Sequence, residues 1–216
     1  MSAADSPLII RADYPFTEAA LAIRAGRVVA YPTETFYGLA VDPFNAAALE
    51  RLFTLKGRPA DSPVSVIVAD GVMLARVAEG VPPGAERLME RFWPGPLTIV
   101  FRARPGLPPR LTAGTGKVGV RIPGSPVAVK LLETTGMPLT ATSANPSGRP
   151  PASTPGQVAD YFGPSLDVLI DGGALPAKAP STVVDVTGPR VLVLRQGAVT
   201  EEDITSAIEG GRKNGP

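Results

Sequence analysis

The 216-residue chain contains no histidine and no cysteine. Those absences remove the commonest general base, the commonest zinc ligands and every thiol nucleophile. A strong charge of one sign is missing too, since 21 Lys and Arg face 20 Asp and Glu for a net charge of +1. No global field therefore draws the protein onto nucleic acid, although a local basic cleft is compatible with that balance. No apolar run approaches the roughly 20 residues that span a bilayer. The start, Met1-Ser2-Ala3-Ala4-Asp5, lacks the basic-then-apolar order of a secretion signal. A cytoplasmic protein with no membrane partner is expected. Its chemistry must come from positioning and fixed positive charge, with or without a hard metal ion.

What remains is a composition 44% hydrophobic and 19% charged, which buries a full core and most simply forms one domain. Helix ends are clearly written. Thr17 is expected to cap a helix through Arg24 closed by Gly26, followed by the apolar strand Val28 to Tyr31. Asn45 caps a second helix with Leu49, Leu52 and Phe53 on one face, and Gly57 supplies its left-handed stop. Pro63 opens a strand from Val64 to Val68. Pro83 to Phe92 reads as helix, Leu97 to Arg102 and Val118 to Ile122 as strands, Val127 to Leu132 as helix, and Leu139 to Thr142 as strand. Thr154-Pro155-Gly156-Gln157 combines a cap, a first-position proline and a capping-box glutamine for a helix to about Tyr161. Strands at Val168 to Ile170, Thr182 to Val186 and Val191 to Leu194 precede a last helix from Thr200. The fold class is α/β or α+β: a mixed sheet flanked by helices, with polar residues at strand ends. The expected division is an extension over 1–14, one domain over 15–209 and a flexible tail over 210–216.

Lys56-Gly57-Arg58 and Ser143-Ala144-Asn145 each end a regular element with polar groups that no core requires, as two walls of one anion-binding pocket would. Pro59 and Pro63 stiffen the loop after Lys56 and Arg58, and two fixed cations suit phosphate oxygens. The alternative is solvated surface charge. Arg121 carries a fork that grips a carboxylate bidentately, against the plainer reading of a strand-edge charge. Thr140 to Asn145 offers hydroxyls and an amide for phosphate or for water around magnesium, or else an ordinary turn at Asn145-Pro146. In Tyr31-Pro32-Thr33-Glu34-Thr35-Phe36-Tyr37-Gly38, a polar pocket lining competes evenly with a locally satisfied turn.

These segments, with Pro94 to Thr98, Val118 to Pro123, Pro180 to Asp185 and Arg195-Gln196-Gly197, together resemble the YrdC-like L-threonylcarbamoyladenylate synthase family from about Pro15 to Gly197. The resemblance implies a twisted α/β sheet around a concave, positively charged cavity. It implies that L-threonine, bicarbonate and ATP with Mg2+ give threonylcarbamoyl-AMP and pyrophosphate. Downstream tRNA threonylcarbamoyl-transferase proteins then take the product, with a weak direct tRNA contact among the expected partners. By the same resemblance Lys56 and Arg58 are catalytic, and ATP is held by them together with Lys117, Ser143, Asn145 and Arg195. L-threonine falls to Thr33, Ser65, Arg121, Ala141 and Ser181, and no direct protein ligand to a metal is expected. Many relatives carry threonine where Lys117 stands and histidine where Ile67 stands, so contacts through those side chains do not carry over. A chain ending near Pro216 suits the short, single-domain form of the family. On this reading Lys56→Ala and Arg58→Ala fold normally and lose pyrophosphate release. The alternative is a noncatalytic RNA-binding protein of the same fold, which the near-zero net charge disfavours.

Overall fold

The computed structural model describes residues 6–176 and 179–209. It opens with β1 (Leu8–Arg11), α1 (Thr17–Arg24) and a hairpin of β2 (Val29–Pro32) and β3 (Tyr37–Ala40). Then come α2 (Ala46–Lys56), β4 (Ser65–Ile67), α3 (Gly71–Val77), α4 (Pro83–Phe92), β5 (Leu97–Arg102), the short α5 (Pro109–Thr112) and β6 (Lys117–Arg121). The rest is α6 (Pro126–Thr135), β7 (Leu139–Ser143), α7 (Pro155–Phe162), β8 (Val168–Asp171), β9 (Thr182–Asp185), β10 (Leu192–Arg195) and α8 (Glu201–Glu209). Among the described residues the strands form one mixed sheet in the order β1-β8-β2-β3-β7-β4-β6-β5-β9-β10. None of the described helices is long and apolar enough to cross a membrane.

The two-residue side-chain period of β2 divides the core between the two faces of the sheet. Val29 and Tyr31 pack with Ala19 and Ile23 of α1 and Leu131 and Leu132 of α6. Ala30 joins the opposite cluster, with Leu49, Leu52 and Phe53 of α2 and Leu88 of α4. Helices therefore cover both faces. This arrangement leaves β7 in mid-sheet, antiparallel to β3 through Gly38↔Ser143 and to β4 through Ser65↔Ala141. The exit of β7 consequently emerges beside the ends of two neighbouring strands.

Helix α2 shows why its signals could be read. Asn45 is extended and its side chain accepts from the Ala48 N–H at 3.1 Å, satisfying a donor that the first turn leaves free. At the other end Gly57 sits at φ +58°, and the N–H groups of Gly57 and Arg58 reach back to the carbonyls of Thr54 and Phe53. That left-handed closure turns the chain sharply after Lys56. At α7, Thr154 caps by accepting from the Gln157 N–H. Gln157 returns its side chain to the Ser153 N–H rather than to that of the cap.

Two expectations are corrected. Thr17 is the first helical residue of α1, behind Phe16, and its hydroxyl makes no cap. Residues 8–11, assigned to an extension, are β1, and they pair in parallel with β8, so the sheet begins before residue 15. The segment after Tyr31 is a turn, one of the two readings left open, and its second arm β3, which the sequence reading did not assign, pairs along all of β2. The expected tail over 210–216 and the first five residues lie outside the described residues.

The Asn45→Ala variant is expected to lose about 1 kcal/mol in urea denaturation, because the N-cap acceptor disappears. A midpoint equal to that of the parent protein would show that the cap contributes nothing.

Candidate functional site

A cavity of about 330 Å³ opens where the β2–β3 turn, the exit of β7 and the starts of β4 and β9 meet. Of the residues singled out from sequence, Thr33, Arg58, Ser65, Arg121, Ala141, Ser143, Ser181 and Arg195 line it. Lys56, Lys117 and Asn145 are absent from that lining. The charged groups among the lining residues are Arg58, Arg121 and Arg195, and no carboxylate is part of that lining. Ser65 and Ala141 are partners across β4 and β7, so neighbouring strands place them side by side.

Each arginine is anchored by oxygen. Arg58 donates from Nε to the Ser62 carbonyl at 3.1 Å and from Nη2 to the Pro63 carbonyl at 2.7 Å. Arg195 donates to the Ser181 carbonyl at 3.2 and 2.8 Å and to Ser181 Oγ at 3.0 Å, and that hydroxyl lies 3.1 Å from Thr98 Oγ1. Arg121 donates from Nη1 to Glu34 Oε1 at 2.6 Å. Burial lowers the pKa of Arg58, and the nearby charge of Arg195 adds to the effect. Burial likewise lowers that of Arg195, with Arg121 adding. The guanidiniums stay charged at neutral pH and repel one another, an arrangement that an anionic ligand would relieve.

Lys56 departs from the expected role. Its side chain is buried at 2% exposure, and the ammonium donates to the carbonyls of Ser143 and, at 2.7 Å, Asn145. The Ser147 N–H donates back to the Lys56 carbonyl at 2.7 Å. Lys56 therefore fastens the end of α2 to the chain leaving β7, inside the wall rather than on its surface. Asn145 belongs to the same junction. Its Nδ2 donates to the carbonyls of Pro146 and Arg149 at 2.9 and 2.7 Å, while its Oδ1 is buried without a partner. Ser143 alone of these three turns toward the cavity. The two sequence walls thus converge as expected, but one cation is consumed in joining them.

Thr33 serves both of its readings. It lines the cavity, while its hydroxyl donates to the Phe36 carbonyl at 2.7 Å and accepts from the Thr35 and Phe36 N–H groups. Lys117 is corrected: its ammonium pairs with Asp185 at 2.8 Å, across β5 and away from the cavity. Burial raises the Asp185 pKa, but bonds from Lys117 and Thr187 outweigh it and leave it lowered. Gly197 has a steric reason to be glycine, because a Cβ there would stand 2.2 Å from the Pro180 carbonyl oxygen and 2.6 Å from the Ser181 carbonyl carbon. Close approach of these backbones sets the Ser181 wall. Sequence reasoning assigned no role to Glu34 or Thr98, although both stand inside the quoted motifs. Among the described residues no cluster of three His, Cys, Asp or Glu is placed to hold a metal.

Removing the Lys56 donors strands two inner carbonyls, so Lys56→Met is expected to cost at least ~2 kcal/mol in stability rather than fold normally. Burial first, then Arg58, pushes the Lys56 ammonium down to about 7 from 10.5. Between those values the unfolded chain binds the proton and the folded one does not, so this group's contribution rises with pH. Urea midpoints of the parent and Lys56→Met proteins should therefore diverge, in the parent's favour, from pH 7 to 10. A constant gap would show that Lys56 titrates normally.

A family model described as "Telomere recombination", for Sua5, YciO and YrdC, matches residues 21–197. The threonylcarbamoyl-AMP synthase of Pyrococcus abyssi is 40% identical over 186 residues, 86% of this chain and 55% of that protein. Its namesake in Bacillus subtilis is 38% identical over 197 residues, 91% of this chain and 57% of that one. The chain thus spans little more than half the length of these relatives, whereas it covers 81% of the Halorhodospira halophila synthase, at 42% identity over 154 residues. The structure of P. abyssi Sua5 complexed with L-threonine aligns with a TM-score of 0.88 and 38% identity, over 93% of this chain and 60% of that one. Escherichia coli YciO aligns at 0.79 with 29% identity, over 90% of this chain and 96% of its own. Matched along most of its sequence and sharing the sheet that builds the cavity, the chain belongs to the Sua5, YciO and YrdC family.

Proposed function

We propose that the cavity makes L-threonylcarbamoyladenylate from L-threonine, bicarbonate and ATP, with release of pyrophosphate. The observation that carries this reading is the convergence of Arg58, Arg121 and Arg195, with hydroxyls from Ser65, Ser143 and Ser181, on one cavity without a carboxylate in its lining. The synthase names of relatives near 40% identity and the threonine complex of P. abyssi Sua5 support it.

The assignment of groups is the one the family resemblance implies, applied to the residues that line the cavity. Arg121 receives the threonine carboxylate, and Ser65, Ala141, Ser181 and the Thr33 turn surround the amino acid. Arg58, Arg195 and Ser143 face the phosphates. Lys56 and Asn145 act from behind, holding the loop that carries Ser143. Mg2+ enters as part of the nucleotide substrate, held by phosphates and water, since the lining offers no carboxylate.

The reaction needs no histidine. The threonine amine adds to bicarbonate-derived carbon dioxide, losing a proton and giving a carbamate. A carbamate oxygen then attacks the α-phosphorus, and the bond to pyrophosphate breaks. Negative charge grows on phosphate oxygens next to guanidiniums already fixed by backbone carbonyls, so little reorganisation accompanies the step. Holding carbamate and phosphate together also traps an intermediate that is unfavourable in dilute solution. The product is a mixed anhydride, which suits prompt transfer to tRNA by downstream threonylcarbamoyl-transferase proteins.

Incubation with ATP, Mg2+, bicarbonate and labelled L-threonine is expected to give the mixed anhydride by mass spectrometry, with pyrophosphate release requiring all three substrates. Arg58→Ala should lower that release roughly 10- to 100-fold, the worth of one charge-assisted contact. Pyrophosphate release that ignores threonine would mark a different nucleotide-cleaving enzyme.

A further inference from the structure

Glu34 stands in the turn between β2 and β3 and has no part in the assignment above. Its Oε1 accepts from Arg121 Nη1 at 2.6 Å, with side-chain exposures of 8% for Arg121 and 21% for Glu34. A carboxylate and a guanidinium free to choose their geometry form a fork with both oxygens bonded. Here Oε2 is buried with no partner, a costly state for a carboxylate oxygen. Among the described residues Arg121 makes no other side-chain hydrogen bond, so its remaining N–H groups are unused while it lines the cavity. The pair forgoes its best mutual geometry, and the donors left over belong to the residue that faces the cavity.

We propose that Glu34 is a positioning residue that holds the Arg121 guanidinium by one edge from outside the cavity, presenting the other edge to the carboxylate of an α-amino acid. This rests on the amino-acid reading of the cavity. A bidentate grip by Glu34 would take two of the five guanidinium N–H donors and a whole edge of the fork, leaving fewer for substrate. No grip at all would leave a nearly buried cation facing Arg195, whose charge feels that of Arg121, and the guanidinium would turn away toward water. A single bond avoids both outcomes. Glu34 also cancels one of three like charges, which reserves the uncompensated pair, Arg58 and Arg195, for the more highly charged ligand.

Two readouts on Glu34→Ala and the nearly isosteric Glu34→Gln test the proposal. In nitrogen-15 arginine NMR, the Arg121 guanidinium of the parent protein should show slow, restrained signals. Glu34→Ala should broaden them, and Glu34→Gln should preserve them in part because its amide oxygen still accepts. By calorimetry, Glu34→Ala should weaken L-threonine binding about tenfold and Glu34→Gln less, while ATP affinity changes less than about twofold. Arg121 signals that are indifferent to Glu34→Ala overturn the proposal. So does tighter threonine binding in that variant, which would make Glu34 a competitor for Arg121. A parent protein that binds no L-threonine overturns the amino-acid reading and the substrate half of this proposal, whereas the NMR result judges the anchoring by itself.

Discussion

Mutual repulsion among Arg58, Arg121 and Arg195 is the constraint around which the cavity is built. Three guanidiniums facing one hollow separate into solvent unless each is tied down, and each is tied by a different device. Backbone carbonyls of a proline-stiffened loop hold Arg58, the carbonyl and hydroxyl of Ser181 hold Arg195, and a single carboxylate oxygen holds Arg121. Because the anchors of Arg58 and Arg195 are neutral, those two charges are fixed in place without being cancelled. Preorganised charge of this kind can stabilise negative charge growing on phosphate oxygens, as the proposed reaction needs.

The anchors depend in turn on the architecture. The left-handed closure at Gly57 turns the chain between Lys56, which enters the wall, and Arg58, which enters the cavity. Lys56 then binds the exit of β7, a strand held in mid-sheet by β3 and β4, so that Ser143 is presented from a fastened loop. On the opposite side the Gly197 backbone presses against Pro180 and Ser181, and Ser181 carries the Arg195 anchor. Sheet order, helix capping and close backbone contact are all expressed in the placement of a few polar groups.

Much of this was legible in the sequence wherever the governing interactions are local. The caps at Asn45, Gly57 and Thr154 lie within a few residues of the groups they satisfy, and the bounds of α4 and β5 follow from proline and apolar patterning. Convergence of the distant motifs came from the family resemblance. Side-chain pairing was not legible. Lys56 finds Ser143 and Arg121 finds Glu34, each 87 residues away, and no local pattern distinguishes a cation that faces a ligand from one that closes a wall. Edge strand β1 was missed because a short LIIR run becomes a strand only by pairing with β8, far along the chain.

Binding of inorganic triphosphate, followed by calorimetry at increasing ionic strength, tests the arginine cavity without requiring any reaction. The account predicts that triphosphate competes with ATP, weakens as salt screens the guanidiniums, and is lost when Arg58 and Arg195 are both changed to alanine. Triphosphate binding that survives the double substitution, or that salt leaves unchanged, would contradict it.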